Sequence, residues 1–177
     1  MSKSIMHSGN IFDKYIDNKS IVHKIKTLSK DINEYYDGKS LHIIGLLDGC
    51  MPTLNELTRH LTVSFEISTI KISSYKGMKR GDLLVDEKIN KMSLSCDSIL
   101  IVDDIIDSGN TIKKIKKKII DMNSALDVKV FSLLIKKNVL NICDWHSFVI
   151  PNKYVIGYGM DIDNLFRELK DIYIINK

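Results

Sequence analysis

One segment, from Ser98 to Met122, leaves few folds open to this chain. After Ser98 it continues with an uninterrupted apolar run from Ile99 to Val102, which is typical of a strand buried on both faces. Two aspartates and a turn rich in Asp, Ser, Gly, Asn and Thr follow, and a helix is predicted from about Ser108 to Met122. Strands of a parallel sheet are joined by crossover helices, so a strand that leads straight into a helix favours an α/β protein.

The rest of the chain repeats this order of strand and helix. The sequence predicts a helix from Asp17 to Tyr36 and a short one from Pro52 to about Leu61. Further strands are predicted at Leu41 to Leu47, Val63 to Ser73, Asp127 to Ile135, 154–157 and 172–175. The interval from Ser74 to Lys91 carries two glycines and many charges, and we expect a mobile loop there. No repeat or linker divides the chain, so residues 1–177 are predicted to form one α/β domain with a mostly parallel central sheet flanked by helices.

Composition excludes several classes of protein. The hydrophobic fraction of 44% and the charged fraction of 27% are close to globular averages, which argues against a disordered chain. The three cysteines form no CxxC pair, and neither a leader-like segment nor an apolar run of membrane-spanning length is present, so we expect a reduced cytoplasmic protein without membrane association. The histidines lack zinc-site spacing, which leaves a hard cation on carboxylates open. The lysines between 113 and 118 lack interleaved aromatic residues, so nucleic acid is not expected as a partner.

The end of the central strand carries the chemistry. The carboxylates of Asp103 and Asp104 suit hydroxyl donors or a hard divalent cation. The turn from Asp107 to Thr111 can point backbone N–H groups and two hydroxyls at one anion, where the helix dipole also favours negative charge, and Gly109 permits close approach. A ligand with a phosphate, vicinal hydroxyls and a metal ion is a sugar phosphate. Each part alone is more often a plain helix start or a solvated loop, but their order and spacing make a specific pattern.

These residues resemble the motif of the phosphoribosyltransferases that use phosphoribosyl pyrophosphate (PRPP), and more narrowly that of the hypoxanthine/guanine branch, which has the form ILIVDDIIDSGNT. The resemblance extends from about residue 40 to 170 and includes GLLDG at 45–49, Ser74-Tyr75, LLIKK at 133–137, and YVIGYGMD to FRELK at 154–170. It implies the type I phosphoribosyltransferase fold, with a core at about 38–150 and a small hood formed by the N- and C-terminal segments at about 1–20 and 151–177.

The resemblance implies a role for each residue that would contact PRPP. Asp103 and Asp104 would bind the ribose hydroxyls and a shared Mg²⁺, although the family commonly has Glu at the first of these positions. The turn from Asp107 to Thr111 would bind the 5′-phosphate, and Asp107 matches the general base or acid at N7 of the purine. Pyrophosphate would be contacted by Asp48, Gly49 and Arg167. At the position of Asp48 the family often has a basic residue. A cis peptide is expected between Leu47 and Asp48. The full set for PRPP and its 5′-phosphate is Asp103, Asp104, Asp107, Ser108, Gly109, Asn110 and Thr111.

The resemblance also implies the purine site. Lys136 matches the donor to a 6-oxo group, and as a donor without an acceptor it favours 6-oxopurines over 6-aminopurines. Tyr154 matches the aromatic residue that stacks on the base, and Val155 offers backbone contacts to the base edge. Asp161 matches a carboxylate near the purine and a second magnesium, so the implied metal ligands are Asp103, Asp104 and Asp161. Ser74 and Tyr75 match a flexible loop that closes over the reacting centre.

The activity that this resemblance implies is Mg²⁺-dependent purine salvage. The 5-phosphoribosyl group of PRPP would pass to N9 of hypoxanthine, and of guanine, by an enzyme that forms homodimers or homotetramers. A nucleoside-triphosphate hydrolase is excluded because the chain has no GxxxxGK[ST], and a receiver domain because the acidic pair comes too late in the chain. A non-catalytic relative that binds nucleotide or RNA is the remaining alternative, against which Lys136, Asp107 and Arg167 argue. The sequence leaves guanine and xanthine acceptance open.

Overall fold

The structure is a computed structural model that describes residues 4–72, 89, 96–124 and 126–176. Its elements in chain order are β1 (Ser4–His7), β2 (Asn10–Ile16), α1 (Asn18–Tyr35), β3 (Leu41–Leu47), α2 (Met51–Thr58), β4 (Phe65–Lys71), β5 (Ser98–Ile106), α3 (Asn110–Met122), β6 (Asp127–Lys136), a 3₁₀ helix (Lys137–Ile142), β7 (Trp145–Ile150), β8 (Val155–Ile156) and β9 (Ile172–Ile175). The predicted loop residues Ser74 and Tyr75 lie outside the described residues.

Five strands form a central parallel sheet in the order β4-β3-β5-β6-β7. Both faces of β3 and β5 are covered, which explains their continuous apolar sequences. All five carboxyl ends meet at one edge of the sheet, and this confirms the predicted mostly parallel α/β fold.

Helices cover both faces of this sheet. Ile21, Ile25 and Ile32 of α1 are buried with Leu54 and Leu57 of α2 against one face. The other face is covered by α3, whose isoleucines at 112, 115 and 119 recur at helical spacing and pack in a second apolar cluster. Asp17 caps α1 by accepting a hydrogen bond from the Ser20 amide at 3.0 Å. Among the described helices, none is both long and apolar enough to cross a lipid bilayer.

The chain ends form a second, antiparallel sheet in the order β1-β2-β9-β8. A two-residue turn at Ser8 and Gly9 joins β1 to β2, with φ angles of 49° and 77° that fit a type I′ hairpin. This sheet packs through Phe12, Ile156 and Tyr173. It is the hood that the sequence predicted from the N- and C-terminal segments, and we keep that name for it.

Several element boundaries differ from the predictions. The strand predicted to end at Val102 continues to Ile106, because Asp103 and Ile106 still pair with Ser132 and Ile135 of β6. The acidic pair therefore lies within the strand and not after it. The strands β1, β2 and β7 were not predicted. The predicted helix from Pro52 ends earlier, at Thr58, and β4 is shorter than predicted at both ends.

Candidate active site

The acidic pair lies near the carboxyl end of the central strand β5. The Asp103 side chain is buried, and its carboxylate accepts a hydrogen bond from the Asp104 amide at 3.1 Å. Burial raises the pKa of both carboxyls, and the negative charge of Asp104 raises that of Asp103 further, whereas Arg167 acts in the opposite direction on Asp104. The pair is therefore short of positive charge, and hydroxyl donors or a cation would stabilise its ionised form.

The turn after β5 has the geometry of an anion cradle. Gly109 occupies the N-cap position of α3 with φ of 73°, and it has no side chain to accept hydrogen bonds from the first helical turn. A Cβ at this position would collide with the Ile142 side chain. The cradle therefore requires glycine twice, for its backbone angle and for its space, and it leaves amides at a helix N-terminus for an anion.

Two cavities open beside this strand and share Asp104 and Ile105. The first, which we call the Lys136 cavity, has a volume of about 340 Å³. The second, the Arg167 cavity, has a volume of about 250 Å³. Predicted site residues line the Lys136 cavity at positions Asp104, Asp107, Lys136, Tyr154, Val155 and Asp161. Others line the Arg167 cavity, at positions Asp48, Gly49, Asp103, Asp104, Thr111 and Arg167. Ser108, Gly109 and Asn110 line neither cavity.

Lys136 is the buried cation of the Lys136 cavity. Its side chain is buried, and its Nζ donates hydrogen bonds to the carbonyl oxygens of Pro151 at 2.9 Å and Lys153 at 2.6 Å. Burial lowers the pKa of Lys136, while the charge of Asp107 opposes that shift. Two of its three ammonium hydrogens thus have acceptors within the described residues, which leaves one hydrogen for a ligand oxygen.

The opposite wall of the Lys136 cavity presents a flat ring and a strand edge. The Tyr154 side chain is half exposed, and its hydroxyl donates to the Asp161 carbonyl at 2.8 Å. Val155 lies in β8, an edge strand of the hood. Because the Ile175 amide bonds to Tyr154 and Val155 faces Ile174, the N–H and C=O of Val155 point away from β9. A planar heterocycle could stack on the ring and pair with this backbone edge.

The Arg167 cavity is built on close backbone contacts. The Leu47–Asp48 peptide is cis, as the resemblance implied. A Cβ at Gly49 would collide with the Asp104 carboxylate, and a Cβ at Gly159 would collide with the Gly49 carbonyl. The Asp48 carboxylate lies 3.7 Å from the ammonium of Lys71. Lys71 is the last residue of β4 and lies opposite Leu47 of β3. The two glycines thus allow the loop after β3, the loop that carries Arg167, and β5 to lie in direct contact.

Arg167 and Asp161 form one hydrogen-bonded unit. The Arg167 guanidinium contacts the Asp161 carboxylate at 2.7 Å and donates to the Gly159 carbonyl, also at 2.7 Å. In the described part of the chain, no three His, Cys, Asp or Glu side chains form a group that could hold a metal ion. The three predicted metal ligands therefore do not form a closed cage. Magnesium is often held by one or two carboxylates, with water and phosphate oxygens completing its shell, so Asp103 and Asp104 fit an ion that arrives with its phosphate ligand.

Some residues of the Lys136 cavity were not predicted from the sequence. Asn152, Lys153 and Met160 line it, and two backbone carbonyls at 151 and 153 hold Lys136. The signal for part of this group was the aromatic and β-branched run from Trp145 to Ile150, which ends at Pro151. A strand there, parallel to β6, brings its final turn to the same sheet edge as Lys136.

A parallel sheet with an acidic pair, an anion cradle and two cavities at its carboxyl edge defines an α/β transferase domain of the phosphoribosyl transferase type. The sequence profile of the phosphoribosyl transferase domain matches residues 12–156. A hypoxanthine-guanine phosphoribosyltransferase from Lactococcus lactis is 32% identical over 169 residues, which cover 90% of this chain and 88% of that protein. The bifunctional protein TilS/HprT of Listeria innocua is 30% identical over 165 residues, and this chain spans only 25% of its length.

Solved structures show the same relationship. A hypoxanthine-guanine phosphoribosyltransferase from Bacillus anthracis superposes with a TM-score of 0.79 at 25% identity, covering 93% of this chain and 97% of that chain. A hypoxanthine phosphoribosyltransferase variant from Trypanosoma cruzi gives a TM-score of 0.77 at 28% identity, covering 92% and 94%. The chain belongs to the hypoxanthine-guanine branch of the phosphoribosyltransferase family.

Proposed function

We propose that this enzyme serves purine salvage by transferring the 5-phosphoribosyl group of PRPP to N9 of hypoxanthine and guanine. IMP or GMP and pyrophosphate are the products. The observation that carries the proposal is the pair of cavities that meet at Asp104. One offers a lysine donor, an aromatic ring and a backbone edge, and the other offers Arg167 and a backbone loop. A ribose between them would join a base on one side to a pyrophosphate on the other.

The acidic pair and the cradle would hold the sugar phosphate. Carboxylates accept hydrogen bonds from ribose hydroxyls, and the backbone amides at the start of α3 donate hydrogen bonds to the 5′-phosphate. As the bond from the anomeric carbon to pyrophosphate breaks, positive charge develops on the ribose, and the negative field of Asp103 and Asp104 stabilises it. Asp103 and Asp104 would hold Mg²⁺ together with phosphate oxygens, and the ion would supply charge neutralisation for the leaving pyrophosphate.

The Lys136 cavity would select and activate the base. The remaining ammonium hydrogen of Lys136 donates to a 6-oxo oxygen, whereas a 6-amino group presents only donors to it. The Asp107 carboxylate lines the same cavity and accepts the N7 proton, so that electron density moves to N9 as that atom attacks. The Tyr154 ring and the Val155 backbone fix the plane and the edge of the base.

A product assay tests the proposed reaction. The protein is incubated with PRPP and Mg²⁺ and, separately, adenine, hypoxanthine, guanine or xanthine, and the nucleotide products are identified. We expect nucleotide from hypoxanthine and guanine. Product from adenine alone would contradict the role of Lys136. If no base gives product and the protein binds RNA in a titration, the result would favour a regulatory relative.

The proton-transfer role of Asp107 has its own test. Asp107→Asn should lower kcat by about 10²- to 10⁴-fold, because the amide cannot accept the N7 proton. PRPP binding, measured by calorimetry, should change little. Asp121→Asn is the matched control, since Asp121 lies on the exposed face of α3 and pairs with Lys117. Equal turnover in Asp107→Asn and the wild type would rule the role out.

A further inference from the structure

The N-terminal hairpin contacts the loop that carries Asp161 and Arg167. His7, the last residue of β1, places its Nε2 at 3.1 Å from the Asp163 carboxylate. Its ring also meets Phe166 edge to face, with 5.3 Å between ring centroids. The His7 side chain is only 18% exposed, so it lies between hairpin and loop rather than in solvent. The contact between His7 and Asp163 joins residues 156 positions apart in the chain.

The contacted loop is tightly turned. Ile162 and Leu165 exchange backbone hydrogen bonds of 3.3 and 3.0 Å across Asp163 and Asn164, whose φ angles of 54° and 63° fit a type I′ turn. Phe166 also has a positive φ, 75°. Left-handed geometry at three non-glycine residues persists only where the surroundings hold it. The His7 contacts fall on two of these three residues.

The same turn sets the positions of the two functional side chains. The Asn164 amide donates to the Asp161 carboxylate at 2.9 Å, and the other oxygen of that carboxylate contacts Arg167. Phe166 immediately precedes Arg167. A shift of the turn tip would therefore move both Asp161 and Arg167, and with them one wall of the Arg167 cavity.

We propose that His7 is a positioning residue that holds the 163–166 turn, and thereby the Arg167 guanidinium, in place for the pyrophosphate group. The inference rests on the proposed function, since that function gives Arg167 its role of contacting pyrophosphate. Ile5, Ile162 and Phe166 all pack against the buried cluster of Phe12, Ile156 and Tyr173, so the hairpin and the loop share a non-directional apolar contact. His7 adds the directed contact that fixes the turn.

Steady-state kinetics test this role. His7→Ala should raise KM for PRPP, and for pyrophosphate in the reverse reaction, by about three- to ten-fold, the effect of losing one hydrogen bond. We expect kcat to stay within about two-fold, because His7 touches neither cavity. His7→Gln keeps a donor near the Nε2 position and should recover most of the affinity. Met6→Ala, on the exposed face of the same strand, is the matched control and should behave as the wild type.

A double-mutant cycle separates the contact from general damage. Asp163→Gly removes the carboxylate while glycine tolerates the positive φ, so it should reproduce the KM increase of His7→Ala. The combined His7→Ala/Asp163→Gly variant should be no worse than either single variant, because both remove one interaction. An unchanged KM in His7→Ala, or effects of the two changes that add, would overturn the inference.

Amide hydrogen exchange keeps the inference testable apart from activity. If His7 holds the turn, the amides of Ile162 and Leu165 should exchange faster in His7→Ala than in Met6→Ala. Equal exchange in the two variants would overturn the inference. A wild-type protein without transferase activity would instead contradict the proposed function, and exchange would still report whether His7 holds the loop.

Discussion

At the scale of single residues, the site depends on three glycines at positions that have no room for a side chain. Gly49, Gly109 and Gly159 each lie where a Cβ would strike a neighbour: the Asp104 carboxylate, the Ile142 side chain and the Gly49 carbonyl. The Arg167 cavity thus depends on a close backbone approach at Gly49, which a count of charged side chains does not record. It also accommodates Asp48 in the loop proposed to contact pyrophosphate, because Lys71 lies beside its carboxylate.

Gly49 is the residue at which this dependence is most directly tested. In Gly49→Ala, the new methyl group would displace the Asp104 carboxylate from its place between the cavities. We expect kcat/KM for PRPP to fall by about 10²-fold, the effect of a displacement of about 1 Å at a reacting centre. Gly38→Ala is the control, because a Cβ there meets nothing within 4 Å and Gly38 lies outside both cavities. Its positive φ should cost stability without loss of activity. Equal activity of the two variants would contradict the prediction.

At the scale of elements, predictability followed burial. The strand Leu41–Leu47 was predicted to its exact ends, because a strand covered on both faces has an apolar sequence whatever its partners are. The hood strands β1 and β2 are half exposed and mix polar with apolar residues. The pairing of β2 with β9 depends on residues about 160 positions away, although the turn at Ser8 and Gly9 was a local signal for a hairpin.

The same contrast holds within the candidate site. Residues 103 to 111 follow one another along a strand, a turn and a helix, so the sequence predicted them as one group. The roles assigned to them stay predictions until they are tested. The carbonyls of Pro151 and Lys153 that hold Lys136 have no side-chain signature at all. They reach the site because β7 runs parallel to β6, and β7 was not predicted.

Asp171 joins the hood to the central layers, and its charge predicts a pH dependence of stability. Its buried carboxylate accepts hydrogen bonds from Lys14 of β2 at 2.7 Å and from the Asn18 amide of α1 at 2.8 Å. The hydrogen bond from Lys14 is the main reason why the pKa of Asp171 is lowered from 3.8. A lowered pKa adds stability above the unfolded value, and this contribution is lost as pH falls through the folded value.

Asp171→Asn should therefore lower the free energy of unfolding at pH 7 by about 1–2 kcal/mol. The difference from the wild type should shrink as the pH is taken below 3.8 and through the lower pKa of the folded state, below which the carboxyl is protonated in both states. Denaturant titrations at pH 7 and at the lowest pH where the protein remains folded provide the measurement. Asp31→Asn, on the exposed side of α1, is the control for removing one charge. A destabilisation that is the same at both pH values would contradict the prediction.

At the scale of the whole molecule, the two sheets share the candidate site. The acidic pair and the cradle belong to the central sheet, whereas Tyr154 and Val155 belong to the hood. A ligand with both a phosphate and a base would therefore bridge the sheets, but a sugar phosphate without a base would contact the central sheet alone. Binding to the folded state adds stability, and it slows exchange most at the elements that the ligand holds together.

IMP and ribose 5-phosphate are the matched pair that tests this bridging. IMP should slow hydrogen exchange at the Ile175 amide, which bonds to Tyr154 between β8 and β9, because the base stacks on Tyr154 and holds the edge of the hood. Ribose 5-phosphate, at a concentration that gives equal saturation, should slow exchange in the first turn of α3 and leave the Ile175 amide unchanged. Equal protection of Ile175 by both compounds would mean that the base does not dock on the hood. Protection by IMP alone would place base recognition on the hood, the sheet that is built from two chain ends far apart in sequence.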